Sequence, residues 1–427
     1  MRFWAKLSIY VGRVMKFRKE VKQLRQLENL LSAADLQLLK STIDDDLELA
    51  NILIENAVGY FKLPFALTPG ITINNKAYPL IPLVVEETSV VAGLCKNIIF
   101  AKSHGTFFAS QEGHSFIGQI HFPNLQAPEI FEKSILDIKE ELIVQANQNP
   151  CASMVKRGGG VQDITAMLIT RPDTKIMGIV HVLVDTKDAM GANIINQTCE
   201  YLKPLIEASI AEKALMCILS NLNTERLTKV EILLEDLDET LAHRIEEASI
   251  VAQCDPYRAV THNKGIMNGM DAVCLATGND WRSLEAGMHG FAGHNGTYRG
   301  LSNWVAKGRQ LKGTLVGPIN VGIVGGMTGI HPMAAFSLRC LGVENSCELA
   351  YVMGAIGLIQ NFAALRALVT DGISKGHMRL HLRNLLKQTD ATPCEQKKVL
   401  ISLKQIFSDK QYVTATDAHT ILKKLRS

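Results

Sequence analysis

The spacing of apolar and polar positions along this chain changes period several times, and each change predicts an element. Leu27–Val58 sets apolar residues three and four apart among good helix formers and stops at Gly59, which predicts a helix. Ala77–Val85 is a nearly continuous apolar run and predicts a buried strand. At Glu86-Glu87-Thr88-Ser89 it gives way to helical spacing over Val90–Ile99, with Thr88 or Ser89 placed to cap the helix through its hydroxyl. From Ile117 short strands and longer helices alternate. The run is strand Ile117–Phe122, helix Pro128–Asn147, strand Ile164–Thr170, a turn at Arg171-Pro172-Asp173, strand Met177–Val184, helix Ala189–Ala208 and strand Ala214–Leu219. That β-α-β-β-α-β order is the ferredoxin-like arrangement, and it reads as an insertion. Glu225–Ala252 is charged and periodic and predicts one or two helices. Val316–Pro332 is glycine-rich, a mixture of strand and loop, and helices follow to about Val369. The more polar and basic residues from about Thr370 read as a small helical module.

Asp255–Arg282 breaks the pattern. It sets two Arg, a His, a Lys, three Asn and three Asp among glycines and small apolar residues. Buried charges are costly unless paired, and a plain surface loop has no need of so many small apolar residues, so the stretch reads as the wall of a polar pocket. Arg258 and Lys264 suit a carboxylate or a developing oxyanion, with Asp280 placed to balance the lysine.

Composition narrows the class. A chain of 427 residues calls for two or three domains, and a net charge of +3 gives no argument for nucleic acid. Nine scattered cysteines without a C-x-x-C pair point to a reducing, cytoplasmic setting rather than to disulfides or zinc. No apolar run approaches the ~20 residues that span a bilayer. Residues 1–26 hold eight Lys/Arg against the single acid Glu20, and read as a solvated extra helix or tail, with an interfacial membrane helix as the alternative. Nucleotide signatures are missing. The glycine after Gly158-Gly159-Gly160 fails the G-x-G-x-x-G spacing, Thr314 stands where a P-loop lysine would, and there is no nucleophile elbow. His377 and His381 lie four apart, but Met378 replaces the glutamate of a zinc protease, and no metal site is expected.

Several blocks, correctly ordered, resemble the class II (bacterial-type) hydroxymethylglutaryl-CoA (HMG-CoA) reductases over about residues 30–385. They are Glu55-Asn56-Ala57-Val58-Gly59 with Leu63-Pro64, Pro82–Glu87, Asp188-Ala189-Met190-Gly191-Ala192-Asn193, Asp255–Arg282 and Gly376-His377-Met378. Gly59-Tyr60-Phe61-Lys62 and Gly329 depart from the usual pattern without touching a catalytic group.

The resemblance implies an α+β protein. A large mixed α/β substrate domain (27–114 and 219–371) would carry an inserted ferredoxin-like NAD(P)-binding domain (115–218) and a small helical C-terminal flap (372–427), after the basic extension 1–26. It implies reduction of the HMG-CoA thioester to mevalonate and free CoA with two NAD(P)H, or the reverse, catabolic direction. It also implies a homodimer, or a higher even oligomer, with shared sites. The catalytic residues would be Glu87, Lys264, Asp280 and His377: Lys264 stabilising the oxyanion, Asp280 fixing that lysine and coupling it to Glu87, Glu87 protonating the oxygen, and His377 protonating the departing thiolate. Ser89, Arg258, Thr261, Asn268 and Asn361 would bind the hydroxymethylglutaryl end, and Asp188, Met190, Gly191, Ala192 and Asn193 the cofactor. On the residues alone, Asp188 is also a fitting N-cap for the helix that follows. Between NADPH and NADH, the absence of an acid in Ala146–Gly160, with Lys156 and Arg157 close by, favours NADPH.

Overall fold

A computed structural model describes residues 47–370, 372, 382, 385–386, 389–410 and 413–426. The chain divides into two compact units, Met1–Pro64 and Phe65–Ser427. In the first, helix α1 (Leu47–Leu53) ends short of Gly59, where the periodicity placed its end, and Ile54, Val58 and Phe61 beyond it are exposed.

The second unit is organised around a six-stranded sheet. Its members are β1 (Phe65–Ile73), β2 (Lys76–Val84), β3 (Gly105–Glu112), β8 (Leu227–Leu234), β9 (Ser302–Lys307) and β10 (Gln310–Gly317), in the order β2-β1-β3-β8-β10-β9. The central strand β8 corrects the helix expected from Glu225. Thr228, Val230, Ile232 and Leu234 face inward at period two. Lys229 and Glu231 alternate with them on the other face, where Glu231 also binds Lys312 at 2.8 Å. Short alternation of this kind is masked by charge density, and burial of one sheet face decides it.

Helices cover the inward face: α2 (Val90–His104), α6 (Glu239–Cys254), α7 (Pro256–Ala276) and α11 (Ser346–Leu368). Helix α11 is apolar on every side because protein surrounds it. By length and composition it could cross a membrane, contrary to the expectation that no run comes near that length, yet 83% of its apolar window is buried inside the molecule. Helices α7 and α11 approach closely. A Cβ on Gly357 would lie 2.7 Å from Met270 Cγ, and one on Gly269 would lie 3.0 Å from the Ile356 carbonyl oxygen. Glycine at those two positions is what lets the backbones meet.

Between β3 and β8 the chain builds a second sheet from β4 (Phe116–Phe122), β5 (Gly160–Thr170), β6 (Ile176–Asp185) and β7 (Met216–Leu219). Helix α3 (Pro128–Gln148) and the short α4 (Ala152–Val155) join β4 to β5, and α5 (Ala192–Ile210) joins β6 to β7. The strand order β5-β6-β4-β7 with antiparallel neighbours is the split β-α-β arrangement, and its core, from Phe116 to Ala214, is separate from that of the large sheet. Helices α8 (Trp281–Gly293), α9 (Met327–Ile330) and α10 (Pro332–Leu341) complete the large-sheet layer. Helices α12 (Pro393–Lys410) and α13 (Ala415–Arg426) form a third small core around Val399, Leu403 and Leu422.

Candidate active site

The segment expected to form the wall of a polar pocket is, for the most part, helix α7. Asp255 caps it, accepting from the Tyr257 N–H at 3.0 Å, and Pro256 opens it. Its polar residues divide between two faces. His262 and Asn263 point inward. The Asn263 amide is fully hydrogen-bonded, its Nδ2 donating to Tyr298 Oη and the Arg299 carbonyl and its Oδ1 accepting from the Leu301 N–H, while His262 meets Ser302 Oγ through Nε2 at 2.7 Å. Arg258, Thr261, Lys264 and Asn268 sit at three- and four-residue steps along the face left open. The polarity that suggested a pocket wall is what a helix with a buried hydrogen-bonded face and an exposed functional face requires.

Lys264 Nζ donates to Glu87 Oε2 at 2.6 Å, joining residues 177 apart in the chain. Glu87 stands in the turn between β2 and α2, and packing of α7 against β2 brings the two together. Both side chains remain open, the lysine 57% and the glutamate 42% exposed, so either is within reach of an incoming substrate. Arg258 is half-buried, its burial lowers the guanidinium pKa, and it makes no ion pair among the described residues. Ser89 follows Glu87 closely. It occupies the N-cap position of α2 but in the left-handed region (φ 75°), with no side-chain cap, and its hydroxyl is buried without a partner among the described residues. The expected capping by Thr88 or Ser89 is therefore absent, and a buried hydroxyl beside Glu87 is left free to receive a hydrogen bond.

Two assigned groups are placed otherwise than expected. Asp280 does not bind Lys264. It caps α8, accepting from the Arg282 and Ser283 N–H groups at 3.0 and 3.2 Å, and pairs with Arg282 Nε at 3.4 Å. The helix N-terminus and the arginine satisfy its charge where it stands. Asn361 is 1% exposed. Its Oδ1 accepts from Ser302 Oγ and from Trp304 Nε1, and its amide lies 3.2 Å from His262 Nε2, so it closes a buried network instead of facing the open side of α7. His377 lies outside the described residues.

The Asp188–Asn193 segment is also not a simple capped helix start. Helix α5 begins at Ala192, with Gly191 at its N-cap (φ 83°) and no side-chain cap. Asp188 serves another helix: its Oδ1 accepts from the Ser346 N–H, the first of α11, at 2.8 Å, and its carbonyl accepts from Ile323 at 2.9 Å. Met190, Gly191, Ala192 and Asn193 are at least partly exposed there, so the first-turn N–H groups of α5 are open to an anion. Sequence reasoning missed Lys187. Its ammonium pairs with Asp185 at 2.8 Å and lies 4.0 Å from where a Gly158 Cβ would be, against the turn that follows Lys156 and Arg157. It also missed Asp271, Glu285 and His289, which form a polar chain between α7 and α8. Their spacing (Asp271 on α7, then Glu285 and His289 one turn apart on α8) was the available signal.

The hydroxymethylglutaryl-coenzyme A reductase family matches residues 18–382. Over 387 residues the chain is 41% identical to the 3-hydroxy-3-methylglutaryl-coenzyme A reductase of Archaeoglobus fulgidus, covering 89% of this chain and 86% of that protein. It is 32% identical over 388 residues to the probable 3-hydroxy-3-methylglutaryl-coenzyme A reductase of Borreliella burgdorferi, covering 88% and 86%. Among solved structures it is similar to the class II 3-hydroxy-3-methylglutaryl-CoA reductase from Streptococcus pneumoniae bound to NADPH in open conformations. The TM-score is 0.73 at 38% identity, covering 83% of this chain and 97% of that one. By fold and kinship the chain is an NAD(P)H-dependent oxidoreductase. It belongs to the HMG-CoA reductase family, and the members it resembles are of class II.

Proposed function

We propose that this chain reduces the thioester of HMG-CoA to mevalonate and free CoA, consuming two NADPH and two protons. The observation that carries the reading is the Lys264–Glu87 pair, an ammonium and a carboxylate held at 2.6 Å on an open polar face. When bound, the nicotinamide cofactor supplies hydride. Each reduction leaves negative charge on the substrate oxygen, which Lys264 stabilises, and Glu87 delivers the proton. Arg258, Thr261, Asn268 and the free Ser89 hydroxyl bind the carboxylate and hydroxyl of the hydroxymethylglutaryl end. Asp280, at the start of α8, comes within reach of Lys264 on substrate binding, and His377 protonates the leaving thiolate.

The domain division follows: residues 27–114 with 219–371 form the substrate domain, 115–218 the cofactor domain and 372–427 the flap. The uncapped start of α5 fits a pyrophosphate, held by the N–H groups of Ala192 and Asn193 beside Met190 and Gly191. Asp188 then sets the position of that loop against α11 and does not itself touch the cofactor. Lys156, Arg157 and Lys187 make the neighbouring turn cationic, which favours the ribose phosphate of NADPH over the free hydroxyl of NADH.

The protein acts as a homodimer or a higher even oligomer. Tyr257 (90% exposed) and Val260 (52%) lie beside Arg258 and Lys264, and Phe61 in the first unit is 92% exposed, apolar surface that a second copy would cover. Nine free thiols fit a reducing, cytoplasmic setting. The test is oxidation of NADPH on adding HMG-CoA, repeated with NADH, counting cofactor consumed per CoA released. Two per CoA, with mevalonate formed, supports the reading. HMG-CoA binding without oxidation of either cofactor overturns it in favour of a CoA-thioester binding protein.

A further inference from the structure

Behind the open face of α7 runs a second set of polar groups that the proposed reaction does not use. It begins at Asn263, whose Nδ2 donates to Tyr298 Oη at 3.0 Å. Tyr298 Oη lies 2.5 Å from His289 Nδ1, with the two rings stacked 6.0 Å apart. His289 Nε2 lies 2.6 Å from Glu285 Oε2, and Glu285 is hydrogen-bonded in turn to Asp271. The chain leaves α7 at Asn263, crosses α8 and returns to α7 two turns further on.

Counting donors along it leaves one contact in need of a hydrogen. Asn263 donates to the tyrosine oxygen, and the Nε2–H of His289 donates to Glu285 whichever way the Tyr298–Nδ1 hydrogen bond runs. Glu285 is then a carboxylate acting as acceptor. Its contact with Asp271 needs a hydrogen, and only Asp271 is left to carry it. We propose that Asp271 and Glu285 hold one proton between them, and that this proton clasps the helix of Lys264 to the helix capped by Asp280, making Asp271 a positioning residue for the reaction.

The electrostatics agree with the count. Burial first, then the hydrogen bond and charge of Glu285 and the charge of Glu86, push the Asp271 carboxyl up to about 9. His289 holds Glu285 below the usual carboxylate range. The charged groups acting on Asp271 are thus Glu285 from α8 and Glu86 from the β2–α2 turn, both negative, while His289 and Tyr298 act through Glu285. Two carboxylates in contact and out of water cannot both ionise cheaply. Asp271 Oδ1 is buried without a partner among the described residues, a tolerable state for the carbonyl oxygen of a neutral acid and a costly one for an anion.

The clasp matters because of what it spaces. Lys264 adjoins Asn263 at one end of the chain and lies seven residues, two turns, before Asp271, while Asp280 opens the helix that carries Glu285 and His289. A small shift of α8 against α7 changes the separation of the two groups, and misplacement by about 1 Å can cost ~10²-fold in rate.

This role rests on the reductase reading, but the proton itself can be tested without turnover. Asp271→Asn supplies an N–H in place of the O–H. A group whose folded pKa is raised contributes stability at low pH that is lost as pH rises through that value. The Tm of the native protein should therefore carry a fall between about pH 4 and 9 from this group. Asp271→Asn should match the native Tm near pH 4 and show a shallower fall above it, and infrared difference spectra should show a protonated-carboxyl band in the native protein that the variant lacks. Equal Tm slopes, or no such band, overturn the shared proton even if the enzyme proves inactive on HMG-CoA. In the pH profile of kcat, the native alkaline decline should be reduced in Asp271→Asn, with kcat at pH 7 within about twofold. Identical alkaline limbs overturn the positioning role. Glu285→Gln, which removes the acceptor charge, should move the loss of the protonated-carboxyl band to lower pH, because burial is then the main cause left; a band that titrates as in the native protein counts against the shared proton.

Discussion

Replacing Lys264 by alanine should separate activity from stability, because of how the residue sits. Its Nζ is 2.6 Å from Glu87 Oε2, a distance that looks like a strong ion pair. Both side chains, however, are about half in solvent, at 57% and 42% exposure, so water screens the pair and replaces it when one partner goes. Exposed pairs contribute ~0–1 kcal/mol. For a chain of this size that moves Tm by no more than about 2 °C. The effect on catalysis is of another order. A donor aimed at a developing oxyanion contributes ~3–4 kcal/mol, so kcat should fall ~10²–10³-fold while HMG-CoA still binds. Thermal unfolding and NADPH oxidation at saturating HMG-CoA, run on the same preparations, read the two quantities. A Tm drop of several degrees with a modest change in kcat would refute the reasoning, for it would make Lys264 a structural residue.

Four further outcomes are expected. Asn361→Ala leaves Ser302 Oγ and Trp304 Nε1 without their buried acceptor, and should cost about 2–4 kcal/mol in denaturant unfolding. His262 is pushed down to about 3 by burial and then by Arg258, so it adds stability above its ordinary 6.5 that is lost as pH falls through the folded value. The native protein should lose stability between pH 6.5 and about 3, and His262→Gln should lose less over that range. Lys156→Ala with Arg157→Ala should lower the NADPH/NADH ratio of kcat/KM by about tenfold or more, and an unchanged ratio would leave cofactor choice to other residues. His377→Ala should slow reduction of the thioester and spare that of mevaldehyde. Full thioester turnover by that variant removes the assignment.

Local periodicity carried much of the architecture. Strands β2, β4, β5 and β6 and helices α2 and α3 begin within a few residues of their apolar patterns, since a strand or helix with one buried face must repeat at two or near 3.6 positions. It failed at β8, where Lys229 and Glu231 on one face hid a strand buried on the other. It failed again at α7, where asparagine and histidine looked too polar for a buried helix face until their partners on Tyr298, Leu301 and Ser302 were in place.

Residue chemistry marked Arg258 and Lys264 as suited to an anion, but an acid at a strand end is most often solvated, and it was the resemblance of ordered blocks that selected Glu87 and Lys264 as catalytic candidates. Sequence by itself therefore determined the family, most of the element types and the candidate groups for the chemistry. Tertiary structure alone decided their partners. It bound Lys264 to Glu87 and not to Asp280, turned Asp280 and Asp188 to the N-termini of helices, and buried Asn361 in a network with Trp304. It also set Asp271 against Glu285. The physical reason is that hydrogen bonding and charge pairing are settled by distances of a few ångströms between elements far apart in the chain, whereas hydrophobic period is written along the chain itself.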